Sequence, residues 1–340
     1  MKIALNRPAE YDGVPASVSV EFSELPQAQK DRLRRLAGHK ANTDGFVRWV
    51  RANVPLNRYA TVYNPAKLQR LSSCGSYLQF RQYHTLVPPK TVLSGSNSCK
   101  QHLFCPLCAI KREIKAVRTY WDKYQALLKD NPNLRLYYLV LTVENEADFE
   151  KTFDKVQKAA RLLIERRKDA KRARNGNKAN RYALNSAFAG VEAGAYSFEV
   201  GRGKGSGLWH PHVNFLLVAE NRIDIRALRK EWKSLCKDRS RICRIKEING
   251  DDRGAFIEIF KYALKFSAMA PGDRFHTATA LYRRNLFGSF GAFRGLKVEN
   301  EDSIELKDLP YLDLLYRYNS TLKSYILDSI TAKNVNPVSP

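Results

Sequence analysis

No apolar run in this sequence is long enough to span a bilayer, and its start lacks the basic-then-apolar pattern of a secretory signal. Both absences point away from a membrane or exported protein and toward the cytoplasm. No internal repeat is evident, which sets repeat arrays aside. Acidic residues are few: 34 Asp and Glu against 58 Lys and Arg, for a formal charge of +24. That excess suits a polyanionic partner, nucleic acid first and an anionic membrane surface second; solubility alone is the plain alternative. Cysteine is sparse too, with six: Cys74, Cys99, Cys105, Cys108, Cys236 and Cys243. In a reducing cytoplasm, clustered cysteines suggest metal before disulfide.

What is present suffices for a sizeable core. The chain has 340 residues, 44% of them hydrophobic, which is enough for one large or two ordinary domains. Helical patterns run from Gln27 to Leu36 and from Phe46 to Val54, and Pro55 and Pro65 break the chain after them. Cys74-Gly75 leads into an alternating strand through Tyr77 and Phe80. A Pro- and Ser-rich stretch from Pro88 to Ser98 reads as a loop. Then come Cys99, His102 and Cys105-Pro106-Leu107-Cys108. A Cys-x-x-Cys turn offers two thiolates, half of a tetrahedral zinc site. Cys74 and Cys99 can supply the other half, with His102 as a substitute for either; free buried thiols are the bland alternative.

Ala109 to Leu128 is helical, Leu134 to Asn145 reads as a central strand, and Phe149 to Arg167 as an amphipathic helix packing on a sheet. The basic run Arg166-Arg167-Lys168 to Lys178 is either a solvated helix end or an arm contacting phosphates. Phe188 to Val200 and Trp209 to Val218 read as strands joined by Gly201 to Gly207, a hairpin signature. Those glycines join two strands, and no Gly-Lys-Ser/Thr comes after them, so a P-loop is rejected. Leu228 to Leu235 is helical and Ile242 to Ile248 a short strand. Phe256 to Phe266 has a helical apolar face, with Glu258, Tyr262 and Lys265 on one polar ridge. Phe287-Gly-Ser-Phe290-Gly-Ala-Phe293-Arg294 suits base stacking on a single strand, or a packed loop.

The most informative stretch is Trp209-His210-Pro211-His212-Val213-Asn214. In an extended chain His210, His212 and Asn214 share a face, so two imidazoles can chelate one divalent ion. Imidazoles favour Mn²⁺ or Zn²⁺; an acid, best placed at Glu199, would make the site tolerant of Mg²⁺. Such an ion can polarise a phosphate, and Tyr262 could serve as a nucleophile with its phenolate charge stabilised, although one tyrosine among seventeen is by default a core or surface residue.

These residues resemble the single-tyrosine rolling-circle replication initiators of small plasmids, in the HUH endonuclease superfamily, over roughly Leu71 to Lys265. Cys74-Gly75, Cys99-Lys100 and Cys105-Pro-x-Cys108 are similar to the family's cysteine region, and Leu139-Val-Leu-Thr142-Val-x-Asn145 to its first motif. Phe198-Glu199-Val200 with His210-Pro-His212-Val-Asn214 is similar to its histidine motif, and Glu258-x-x-Lys261-Tyr262-x-x-Lys265 to its tyrosine motif. Asn214 stands where the family commonly has a histidine, so His210 or Asn214 must complete the site around His212.

The resemblance implies an α+β fold, an antiparallel sheet flanked by helices, behind an upstream cysteine zinc module. Together with the pattern along the chain, which reads residues 1–65 as a small accessory region or a mobile extension and 301–340 as a peripheral helix and tail, it places the zinc module at 66–118 and the endonuclease domain at 119–300. It implies that Tyr262 attacks a phosphodiester at a plasmid origin, in single-stranded or hairpin DNA, and becomes joined to the 5′ phosphate. The freed 3′ hydroxyl would then prime a host polymerase, with a host helicase as a further partner. Lys265 would neutralise phosphate charge, and Glu258 would activate water to end the round. The implied cofactors are a divalent ion, Mg²⁺ or Mn²⁺, and a structural Zn²⁺. Rival readings are a relaxase or transposase of the same superfamily, and a noncatalytic zinc-containing DNA-binding regulator.

Overall fold

A computed structural model of the protein describes residues 26–55, 64–87, 89–176, 178, 181–203, 205–237, 243–248, 256, 269–297 and 309–333. In chain order the elements are α1 (Gln27–Asn53), α2 (Pro65–Ser73), β1 (Tyr77–Tyr83), β2 (Lys90–Ser96), α3 (Pro106–Asp130), β3 (Arg135–Thr142), α4 (Phe149–Arg174) and α5 (Arg181–Leu184). They continue with β4 (Val191–Arg202), β5 (Trp209–Ala219), α6 (Ile225–Cys236), β6 (Cys243–Ile248), α7 (Pro271–Ala280), β7 (Phe287–Gly291), α8 (Ala292–Gly295), β8 (Tyr311–Asn319) and β9 (Ser324–Lys333). The protein is α+β, with antiparallel sheets flanked by helices, and divides into two compact units. Among the described residues, no helix is long and apolar enough to cross a membrane.

The first unit takes in residues 1–108 and 299–340 and holds a four-stranded sheet in the order β2-β1-β8-β9. Helix α1 buries Leu33 and Ala37 against Leu78, Phe80, Leu314, Tyr316 and Tyr325 of that sheet. The spacing predicts two helices here, but α1 is continuous. Its buried positions run on through Lys40 and Thr43 to Phe46, Val47 and Val50. Lys40 can sit there because its ammonium reaches Asp44 (2.5 Å) and the Ser72 carbonyl (2.6 Å). Asn64 caps α2 by accepting from the Lys67 amide at 2.9 Å, and Pro65 fills the first turn.

Two expectations fail in this unit. The Pro- and Ser-rich stretch contains β2, among the described residues an edge strand paired only with β1 and with no fully buried residue, so glycine and serines are tolerated. The expected C-terminal helix is instead the hairpin of β8 and β9. Its turn is fixed by the Asn319 side chain, which accepts from the amides of Thr321 (3.0 Å) and Leu322 (2.9 Å). Leu312, Leu314, Leu315 and Leu327 make the segment read as helical. It is a strand because β8 pairs with β1 along the register Leu78↔Tyr316 to Gln82↔Leu312.

The second unit, residues 109–298, holds a five-stranded sheet in the order β6-β3-β5-β4-β7. Strand β5 is the middle strand and β3 lies beside it. On one face, Leu136, Ala193, Ala195, Leu216 and Val218 pack with Trp121 and Tyr124 of α3, and with Phe256 and Phe293. On the other, Phe153 of α4 meets Phe198 (ring centroids 5.5 Å apart), and Phe188 meets Phe215 (5.4 Å). Each such ring contributes about 1.5–3 kcal/mol by burial. The expected hairpin is present: β4 and β5 pair from Val191↔Ala219 to Arg202↔Trp209, and Gly205 (φ +83°) and Gly207 (φ +66°) take the turn's left-handed backbone.

Candidate metal centres

The histidine stretch forms the first half of β5, where the strand leaves the core for the hairpin end. Side chains opposite one another across an antiparallel pair share a face. His212 lies between Glu199 of β4 and Thr142 of β3, and Asn214 between Ser197 and Val140. His210, His212, Asn214, Glu199 and Thr142 therefore share the sheet face that carries the α3 core.

Glu199 is fully buried, and its Oε2 lies 2.6 Å from His212 Nε2. A carboxylate in so dry a position is stable only with such a partner. His210 Nδ1 lies 2.6 Å from Asn145 Oδ1. A carboxamide oxygen only accepts, so Nδ1 carries the hydrogen and the neutral ring presents Nε2 as its lone-pair donor. Burial first, and the neighbouring His212 second, hold His210 below the usual histidine range, which favours that neutral form. The two imidazole centroids are 5.5 Å apart. Asn214 is buried, and its Oδ1 accepts from the Tyr138 hydroxyl at 3.2 Å. His212 Nδ1, Asn214 Nδ2 and Thr142 Oγ1 are buried with no hydrogen-bond partner. Thr142 and Asn145 belong to the stretch that resembles the family's first motif, but nothing in the sequence says what they touch, and Tyr138 carries no separate signal. All three lie on or just beyond β3, and only its register with β5 reveals them.

The cysteines form a tighter group. Cys74, Cys99, Cys105 and Cys108 are all buried, with their sulfurs within 4.8 Å of one another. Among the described residues, this is the only set of three or more His, Cys, Asp or Glu ligand atoms so close together. Sulfur separations are 3.6 Å for Cys74–Cys108, 3.5 Å for Cys99–Cys108 and 3.5 Å for Cys105–Cys74. A zinc tetrahedron with Zn–S bonds of about 2.3 Å has edges of about 3.8 Å, so the group needs only slight expansion to hold such an ion.

Local sequence explains the convergence. Cys74 follows α2, and Gly75 (φ +70°) turns the chain where a Cβ would lie 2.3 Å from Leu107 Cδ1. Cys105 and Cys108 flank the first turn of α3. The Cys99 amide donates to Cys74 Sγ at 3.4 Å, and the Tyr325 hydroxyl donates to the Gly75 carbonyl at 2.7 Å. Hydrogen bonds from the other three thiols, Cys105 first, pull Cys108 well below the ordinary thiol range. The same contacts, with Cys108 first, push Cys105 far above it. Four such sulfurs cannot all ionise without a cation among them. His102, the suggested substitute, is not in the group. Cys236 and Cys243 are buried elsewhere.

The basic run divides. Arg167 is buried and donates to the carbonyls of Val191 and Glu192, both at 2.6 Å. Arg166 pairs with Glu231, and Lys171 and Arg174 with Glu192, so much of this run holds the protein's own structure. The aromatic-glycine segment is packed: β7 pairs with β4, Phe290 stacks on Phe188 (6.4 Å), and Phe293 is fully buried. Tyr262, Glu258 and Lys265 lie outside the described residues. Phe256, before them, is buried against Trp121 (5.3 Å) and Tyr124 (6.0 Å).

The chain is 23% identical over 276 residues to a protein called "Protein rep" from Streptococcus pneumoniae serotype 2 (strain D39 / NCTC 7466). The match covers 72% of this chain and 78% of that protein. No protein-family model matches the chain, and no solved structure matches it significantly.

Proposed function

We propose that this chain is a replication initiator of the HUH endonuclease type, which nicks and rejoins origin DNA through a 5′-phosphotyrosine intermediate. The observation that carries the reading is the Glu199–His212 pair on the middle strands of an antiparallel sheet, with His210 and Asn214 on the same face. The likeness to "Protein rep" supports the replication role, and the charge of +24 suits a DNA substrate.

His210, His212, Asn214 and Glu199 are the residues that would hold a divalent cation, Mg²⁺ or Mn²⁺. The partnerless His212 Nδ1 and Asn214 Nδ2 fit a site made for a further polar guest. The Asn214 carboxamide can also turn over, since the Tyr138 hydroxyl can accept from Nδ2 as readily as donate to Oδ1. A bound cation would polarise the scissile phosphate and offset charge built up during transfer. The protein's own groups do the rest. Asn145 fixes the His210 ring, and Glu199 fixes that of His212. The Tyr262 oxygen attacks phosphorus, and its proton passes through water to the leaving 3′ oxygen. The bond to the 3′ oxygen breaks, and that oxygen leaves as a hydroxyl. Lys265 neutralises phosphate charge, and Glu258 takes a proton from water when the intermediate is hydrolysed. Tyr262 follows Phe256 by six residues, a reach of roughly 20 Å at most from a ring on the histidine-bearing face. The four cysteines would hold a structural Zn²⁺. Host helicase and polymerase would act on the nicked product.

The test is incubation with single-stranded origin fragments and Mn²⁺, followed by peptide mapping. The expected product is DNA joined to Tyr262, abolished in Tyr262→Phe with DNA binding retained. Metal-dependent adducts that persist in Tyr262→Phe, or no cleavage of any strand by the wild type, would sink the proposal.

A further inference from the structure

Thr142 is a buried hydroxyl on the face that carries the histidines. It ends β3 between Leu141 and Val143, both essentially inaccessible, and is itself 3% exposed. Valine would fill the same β-branched space without a polar atom. The Thr142 carbonyl accepts from the Trp232 indole at 2.7 Å, which fixes the backbone at the end of β3. The hydroxyl lies opposite His212 and has no partner. His212 Nδ1 and Asn214 Nδ2 are in the same condition on the neighbouring positions of β5. One partnerless buried polar atom is a local cost. Three on adjacent rungs of one sheet face mark a place where a polar guest completes the structure.

We propose that Thr142 is a positioning residue of the histidine site, its hydroxyl bonding to water carried by a divalent cation held at His212 and Asn214. This rests on the proposed cation site at those residues. A threonine hydroxyl has one hydrogen and two lone pairs, so it can accept a hydrogen bond from cation-bound water where a methyl group cannot. Fixed between β5 and Trp232, it would restrict where that water sits.

The experiment compares wild type, Thr142→Val and Thr142→Ser as full-length chains with the cysteine cluster loaded. Mn²⁺ affinity is read from loss of the free-ion electron paramagnetic resonance signal, and thermal midpoints are read without Mn²⁺. The expectation is that Thr142→Val binds Mn²⁺ about 10-fold or more weakly, in the range of outer-shell losses, with a midpoint equal to or above wild type. Thr142→Ser, which keeps the hydroxyl, should bind as wild type. Equal affinity in Thr142→Val, or loss of affinity in Thr142→Ser, overturns the inference and leaves the function proposal standing. Absence of Mn²⁺ binding by the wild type overturns both.

Discussion

Replacing Cys105 by serine removes one corner of a sulfur group whose edges are 3.5–3.6 Å. A structural Zn²⁺ in a small module contributes on the order of 10–16 kcal/mol of folding free energy. A domain's whole stability is about 5–15 kcal/mol. Losing one ligand in four, shared evenly, costs about 2.5–4 kcal/mol on the same scale. For a unit of 150 residues that lowers the melting midpoint by about 5–16 °C. The damage should be local. The Cys99 amide, which donates to Cys74 Sγ, and the Gly75 turn held by Tyr325 should lose protection from hydrogen exchange. The β3–β5 ladder, built in the other unit, should keep its protection. Elemental analysis and hydrogen-exchange mass spectrometry read both effects. Wild-type protein that carries no zinc yet protects the Gly75 and Cys99 amides fully would refute the reasoning. So would Cys105→Ser with unchanged metal content and midpoint.

In the second unit, Arg167→Met should cost about 2–5 kcal/mol in urea unfolding, because two carbonyls, of Val191 and Glu192, lose their guanidinium donor inside the protein; a loss below about 0.5 kcal/mol would mean that water replaces it. Burial pushes the Cys243 thiol up to about 11 from an ordinary 9.0, against the pull of Arg229. A thiol raised on folding stabilises the native state fully below 9.0. That contribution falls as pH rises from 9.0 to about 11, since the unfolded thiol ionises first. Alkaline melts of Cys243→Ala should therefore decline less steeply over that window than those of wild type; identical slopes would remove the assignment.

Elements with a local signal were legible in the sequence. The hairpin of β4 and β5 announced itself by two apolar runs around a glycine turn, and α4 by its helical apolar spacing. The four cysteines could be grouped because thiols with that spacing have few other uses in a reduced protein. Elements defined by distant partners were not. Strand β8 exists because β1 needs a neighbour, and its leucines alone favour a helix. The continuity of α1 depends on a buried lysine that reads as a surface residue until Asp44 and Ser72 are seen around it. The histidine face was read correctly from alternation. The contacts of Asn145 and Tyr138 were invisible, because strand register is a tertiary property.

The first unit is stitched from the two ends of the described chain, and this sets an order on its assembly during translation. The cysteines and β1–β2 leave the ribosome early, so the metal site can close while β8 is still unmade. About 240 residues separate Leu78 from its partner Tyr316. At 5–20 residues per second, one long edge of β1 waits roughly 12–48 seconds for its neighbour. During that time the unpaired edge, with Leu78 and Phe80 beside it, is a template for other nascent chains. Chaperone capture of ribosome-bound chains should accordingly be strongest after β1 emerges and end once β8 and β9 have been made.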